Sequence, residues 1–257
     1  MNLDVLVFAS HPDDAELGCG GTIAALTSQG KKVGIVDLTK GEMGTRGTKE
    51  TRAREVSEAS EILGLSYRVS LDLGDSRLNN TRENQLKIIE QVRKTRPQIC
   101  LIGAPFDRHP DHPKGTNLVL DALFYSGLQK LGTKDENETL QKPHRPAHIL
   151  HYMQDRPIEF DFVFDITDHI ETKKEAILAY STQFNIAEPE EEPETYISSE
   201  DYFKQLEARA RYLGHLAGFT FGEAFKYYLS PVPLKDMSIF FQSDPISLVR
   251  NQTRDKR

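Results

Sequence analysis

Val5 to Gly21 reads VLVFASHPDDAELGCGG: five unbroken apolar residues, a loop of acids behind His11-Pro12, and then a run of glycines. An apolar run without polar alternation is what a strand covered on both faces requires. Downstream, residues 21–29 have helical spacing, with Gly30 placed for a left-handed cap. Residues 33–38 read as a second strand. In 51–63, Val56, Ala59 and Leu63 share one helical face, and Gly64 stops that helix. A shorter strand at 67–71 precedes a helix marked by Leu86, Ile89 and Val92, which ends before Pro97. Ile99-Cys100-Leu101-Ile102 is a further apolar strand, followed by a helix over 115–131. Strand and helix alternating in this way predict an α/β fold with a doubly wound, largely parallel sheet.

Beyond this core (1–131) the pattern changes. Residues 132–146 are polar and read as an insertion loop, strands follow at 148–153 and 162–166, and helices at 170–182 and 201–216. The acidic stretch IAEPEEEPE, 186–194, reads as a mobile surface loop. We expect one domain over 1–257, with a C-terminal α/β elaboration at 132–230 and a tail from about 231 that ends in the basic, solubilising RNQTRDKR.

Composition excludes several classes. Of 257 residues, 38% are hydrophobic and 28% charged, and a net charge of −7 argues against a nucleic-acid partner. No apolar run approaches the ~20 residues that span a bilayer. The N-terminus enters a strand pattern directly, so a cytoplasmic location is expected. The two cysteines, Cys19 and Cys100, form no CxxC pair, which leaves no basis for a disulfide framework or a thiolate zinc finger; both read as small buried residues.

Two loops carry the chemistry: His11-Pro12-Asp13-Asp14-Ala15-Glu16 and His109-Pro110-Asp111-His112-Pro113. Each follows an apolar strand, the first and the fourth. Those strands are commonly neighbours where the order of a doubly wound sheet reverses, and ligands bind there. Together the loops offer the His and carboxylate donors of a catalytic zinc site, with carboxylates to spare for a general base. In the adjacent pair Asp13-Asp14, one carboxylate would bind metal and the other accept a proton. Taken alone, HPDD is equally the sequence of a helix-capping turn; its recurrence as HPDH favours metal. Gly18-Cys19-Gly20-Gly21 superficially resembles a dinucleotide loop, but the third glycine of that pattern would fall on Ile23. It reads better as a tight turn bringing a helix N-terminus toward the site. Tyr180 and Gln183, three apart in AYSTQF, are further pocket candidates.

HPDDAELGCGGT and DRHPDH resemble the PIG-L or LmbE-like family of zinc N-deacetylases. So do VGIVDLTKGEMGTRGTKETRAREVSEASEILG, AYSTQF and ARARYLGHLAGFTFGEAF. The likeness spans nearly the whole chain, excepting 132–146 and the last ~25 residues. It is greatest to the bacterial branch acting on N-acetylglucosaminyl malate in bacillithiol synthesis. The resemblance implies zinc, or another divalent ion, on His11, Asp14 and His112. It implies Asp13 as general base, His109 stabilising the intermediate or protonating the amine with Asp111 orienting it, and Arg52 reaching the substrate. It also implies a homo-oligomer acting on a small sugar. Arg46 and Arg108 lie beside the same strand ends and, with Arg52, suit the two carboxylates of malate. Inositol and chito-oligosaccharide conjugates are the alternative substrates, and a non-catalytic metal-binding relative is the rival class, against which the retained Asp13 argues.

Overall fold

In the computed structural model, which describes residues 1–184, 195–229, 231–234 and 236, the first apolar run is the strand β1 (Val5–Ala9). It pairs in parallel with β2 (Val33–Asp37) on one side and β4 (Ile99–Ile102) on the other, Val5 standing opposite both Val33 and Ile99. β3 (Tyr67–Ser70) extends the sheet beyond β2, and β5 (His148–Tyr152) extends it beyond β4, all parallel. The unbroken hydrophobicity of β1 follows from this position. Leu6 and Phe8 enter one core with Ile88, Val92 and Leu118, while Val5, Val7 and Ala9 enter the other with Ile23, Leu101 and Tyr152.

Helices α1 (Asp14–Ser28), α2 (Lys49–Ile62), α3 (Arg82–Thr95) and α4 (Asp111–Tyr125) make the crossovers. Gly30 and Gly64 take positive φ, 76° and 64°, where the sequence places caps. Two helices start earlier than the sequence predicts. The helix expected from 115 begins at Asp111, because in the first turn of α4 the missing N–H of Pro113 costs nothing. α1 begins at Asp14 and runs through the glycines with a kink at Cys19 (φ −145°, ψ 24°). The glycine run is therefore helix interior, neither a tight turn nor a phosphate loop. Its glycines admit close packing: a Cβ on Gly18 would stand 2.3 Å from the Tyr152 ring, and one on Gly21 2.7 Å from Ile166.

The C-terminal part adds β6 (Phe162–Asp165), α5 (Ile170–Leu178), α6 (Ser181–Phe184), α7 (Glu200–Ala217) and β7 (Gly222–Tyr227). The single helix expected over 170–182 is thus two. β7, which the sequence does not announce, enters between β5 and β6 and runs antiparallel to both, giving the order β3-β2-β1-β4-β5-β7-β6. Its Glu223 reaches the kink in α1. The break frees the Gly21 amide and the Leu17 carbonyl, which a continuous helix would pair. Glu223 accepts from Gly21 N at 3.0 Å and Thr22 N at 2.8 Å, and Lys173 donates to Leu17 O at 2.9 Å and to Glu223.

Residues 132–146 contain one isolated bridge, Lys134 to Leu140. Arg93 anchors the approach to them by donating to the carbonyls of Ser126, Leu128 and Leu131. Cys19 and Cys100 are buried free thiols. Among the described residues no helix is long and apolar enough to cross a membrane. The acidic segment 186–194 and nearly all of the tail lie outside the described residues.

Candidate active site

The loops after β1, β2, β3 and β4 open onto one cavity of about 340 Å³, near the low end of small-molecule sites. The order of the sheet reverses between β1 and β4, so the two His-Pro-Asp loops meet at its floor. Asp13 is the N-cap of α1 in a left-handed conformation (φ 110°, ψ −28°), a strain of about 1–3 kcal/mol for a non-glycine residue. Its carbonyl accepts the Leu17 N–H at 2.9 Å, but its carboxylate makes no capping bond. A turn whose purpose was capping would use that carboxylate. Arg52 holds the loop instead, donating to Pro12 O at 3.1 Å with Nη1 3.6 Å from Asp13 Oδ2 and Nε 3.5 Å from Glu55. Burial pushes the Asp13 carboxyl up to about 7 against the opposing pull of Arg52.

Asp14 lies between two histidines, with Oδ2 3.4 Å from His11 Nδ1 and Oδ1 3.1 Å from His112 Nε2. It also accepts the His11 N–H at 2.9 Å. Burial alone would raise its pKa, but His112 and His11 hold it well below the usual range. Two acids face the far nitrogens of these rings: Asp107 contacts His112 Nδ1, and Asp75 Oδ1 stands 3.2 Å from His11 Nε2. On His112 the acid fixes the proton at Nδ1 and leaves Nε2 free to ligate, whereas His11 Nε2 makes no hydrogen bond to Asp75. Burial would lower the pKa of His112, yet Asp14 and Asp107 lift it to about 9. The site thus collects negative charge that protons on histidine balance when no cation does, and a divalent ion would displace those protons. The donors fit such an ion. His11, His109 and His112 each offer a nitrogen within 4.8 Å of the others, and His11 Nε2 is buried without a hydrogen bond.

His109 lines the cavity, its pKa lowered by burial and by the charges of His11 and His112. Asp111 orients it through the backbone, not the carboxylate: the Asp111 N–H donates to His109 Nδ1 at 3.2 Å, which leaves the neutral ring's proton on Nε2. The Asp111 carboxylate instead accepts from Ser76 N at 2.7 Å and lies 3.6 Å from His11 Nε2. Of the three arginines, Arg52 and Arg108 line the cavity and Arg46 does not; the Arg46 carbonyl receives Gln183 Nε2 at 3.0 Å. Arg108 pairs with Asp155 at 3.2 Å and covers the Tyr196 ring at 4.2 Å.

Behind Asp14, Glu16 and Asp37 share one cation. Arg68 donates to Glu16 at 2.6 Å, to both oxygens of Asp37 at 2.9 and 3.0 Å, and to Tyr180 OH at 2.9 Å. Tyr180 donates in turn to Glu16 at 2.9 Å. It is a buried strut, whereas Gln183 lines the cavity. Asp75, Asp107, Gln154, Tyr202 and Arg209 escape the sequence reading. Asp107 and Arg209 carry a signal, as members of DRHPDH and ARARYLGHLAGFTFGEAF; a lone acid such as Asp75 carries none.

The sequence model of the GlcNAc-PI de-N-acetylase family, PIG-L, matches residues 6–123, which contain both His-Pro-Asp loops. The chain is 32% identical over 233 residues to the diacetylchitobiose deacetylase of Thermococcus kodakarensis, covering 87% of this chain and 82% of that protein. It is also 32% identical over 138 residues to a probable N-acetyl-alpha-D-glucosaminyl L-malate deacetylase 2 of Bacillus cereus, covering 48% of this chain and 62% of the other. The crystal structure of the conserved protein TT1542 from Thermus thermophilus superposes with a TM-score of 0.79 at 36% identity, covering 91% and 97% of the two chains. On sequence, fold and site together, this chain belongs to the PIG-L or LmbE-like family of N-deacetylases and is a hydrolytic enzyme.

Proposed function

We propose that this chain hydrolyses the acetamide of an N-acetylglucosamine conjugate, releasing acetate and the free amine. One observation carries the reading: Asp13, strained and freed from capping, sits beside an Asp14 flanked by two histidines at the floor of a cavity. His11, Asp14 and His112 would hold a divalent ion, zinc by the character of the donors, although iron and cobalt accept the same set. When bound, such an ion polarises the amide carbonyl and acidifies water. Asp13 takes the proton as the water oxygen bonds to the carbonyl carbon. The same carboxyl then returns that proton to the nitrogen as the C–N bond breaks. The neutral His109, with its proton on Nε2, donates to the developing oxyanion. Arg52 keeps Asp13 in place.

The malate reading rests on Arg46, Arg52 and Arg108, and the positions of these arginines weigh against it. Arg46 is off the cavity, and Arg52 and Arg108 each already face carboxylates, so neither of these two is left unengaged for a dianion. An uncharged aglycone, such as a second sugar, fits better, and the name of the Thermococcus relative agrees. The test is kcat/KM of the zinc-loaded protein on diacetylchitobiose and on N-acetylglucosaminyl malate. We expect the disaccharide to lead by about tenfold, the effect of ~1.4 kcal/mol. A lead for malate overturns the aglycone reading, and no hydrolysis of either overturns the deacetylase reading.

A further inference from the structure

Asp13, Asp14 and the three histidines all lie within the stretch matched by the family, whereas Gln154, Tyr196, Tyr202 and Arg209 of the cavity wall lie beyond it. Gln154 is 5% exposed, and neither its amide oxygen nor its amide nitrogen has a hydrogen-bond partner. Among the described residues it is the one buried side chain with both polar atoms left so. Its backbone is fixed, because Arg209 Nη1 donates to the Gln154 carbonyl. Its amide oxygen rests against Gly103, where a Cβ would stand 2.5 Å away. The neighbouring Thr116 hydroxyl is already bonded to the carbonyls of Gly103 and Ala104.

Buried amides left unpaired in both senses are rare, because the lost hydration is not made good. The terminal torsion of glutamine is broad, so turning this amide toward the cavity breaks no hydrogen bond. We propose that Gln154 reads the hydroxyls of the substrate's sugar ring, its oxygen accepting from one and its nitrogen donating to a neighbour. The inference rests on the reading of the substrate as an N-acetylglucosaminide. Adjacent ring hydroxyls supply a donor and an acceptor together. A carboxylate supplies acceptors alone and would leave the amide oxygen unpaired.

Gln154→Met keeps the length of the side chain and removes both polar atoms. It is compared with the unsubstituted protein on the parent substrate and on its 3-, 4- and 6-deoxy analogues. We expect the variant to lose about 10–100-fold in kcat/KM on the parent, and the unsubstituted protein to lose as much on the analogue lacking the hydroxyl read. The variant should lose nothing further on that analogue, and its Tm should equal or exceed the parent's, since no bond of the free protein is removed. An unchanged kcat/KM, or equal further losses on every analogue, overturns the proposal. Calorimetric binding of N-acetylglucosamine reads the same contact without catalysis. Equal affinity in the two proteins, or none in either, again overturns it. Binding weakened by the substitution, with no hydrolysis by the unsubstituted protein, overturns the deacetylase reading and leaves this one standing.

Discussion

Arg68→Met would leave two acids behind the active site without their cation. Glu16 and Asp37 are both 0% exposed, and Arg68 makes one bond to the first and two to the second. Breaking a buried pair by removing one partner costs about 3–5 kcal/mol, and with two carboxylates stranded the upper end applies. For a chain of this size ~2–4 °C accompanies each kcal/mol, so Tm should fall by roughly 10–20 °C at pH 7. Burial already pushes the Asp37 carboxyl above its ordinary range, with Arg68 restraining it. Without Arg68 the folded-state pKa rises further. An acid whose folded pKa is raised stabilises the fold below its unfolded pKa of ~3.9, and that stability is lost as pH climbs toward the folded value. The deficit should therefore be smaller at pH 5 than at pH 7, by up to ~3 kcal/mol across the two units. Urea unfolding at both pH values, each against the unsubstituted chain, measures it, and Asp37→Asn in the Arg68→Met background should restore part. A deficit below ~1 kcal/mol, or one independent of pH, would refute the claim that Arg68 neutralises this pair.

Asp13→Asn should keep one zinc per chain while kcat falls by about 10²–10⁴, whereas Asp14→Asn and His112→Ala should lose the metal and the activity together. Metal analysis beside the kinetics decides, and exchanged phenotypes would reverse the roles of the two aspartates. Gly18→Ala drives a methyl to 2.3 Å from the Tyr152 ring, which is fully buried and bonded through its hydroxyl to Phe8 O. An overpacking loss of about 1–3 kcal/mol should appear as a lower urea midpoint with the same slope; an unchanged midpoint would mean that the tyrosine moves aside freely.

The parallel half of the fold and the meeting of the two motif loops are legible in the sequence because each depends on local pattern. β1 announces a doubly covered strand in five residues, and the strand-end loops follow from topology. What escapes is non-local. Glycines 18–21 read as a tight turn where Tyr152 and Ile166, more than a hundred residues away, require small residues inside α1. β7 has an ordinary composition, and nothing in GEAFKY tells that it enters between two earlier strands. Asp75 and Asp107 act by facing the rear nitrogens of histidines, a relation made by three-dimensional closure. Arg46 shows the reverse: its position beside a strand end fits a pocket residue, yet it does not line the cavity, and its backbone carbonyl receives Gln183.

The kink at Cys19 bears on whether the first half of the molecule can stand alone. The stretch matched by the family's sequence model ends at 123, and every residue assigned to the chemistry lies inside it. Yet the amides that the kink releases at Gly21 and Thr22 are received by Glu223, and the released carbonyl of Leu17 by Lys173. Cut away from those two side chains, the helix that carries Asp14 would hold uncompensated polar groups in its buried middle, a few residues from the proposed metal ligand. The shared catalytic segment is therefore not a transplantable module: its geometry is completed from the far end of the chain.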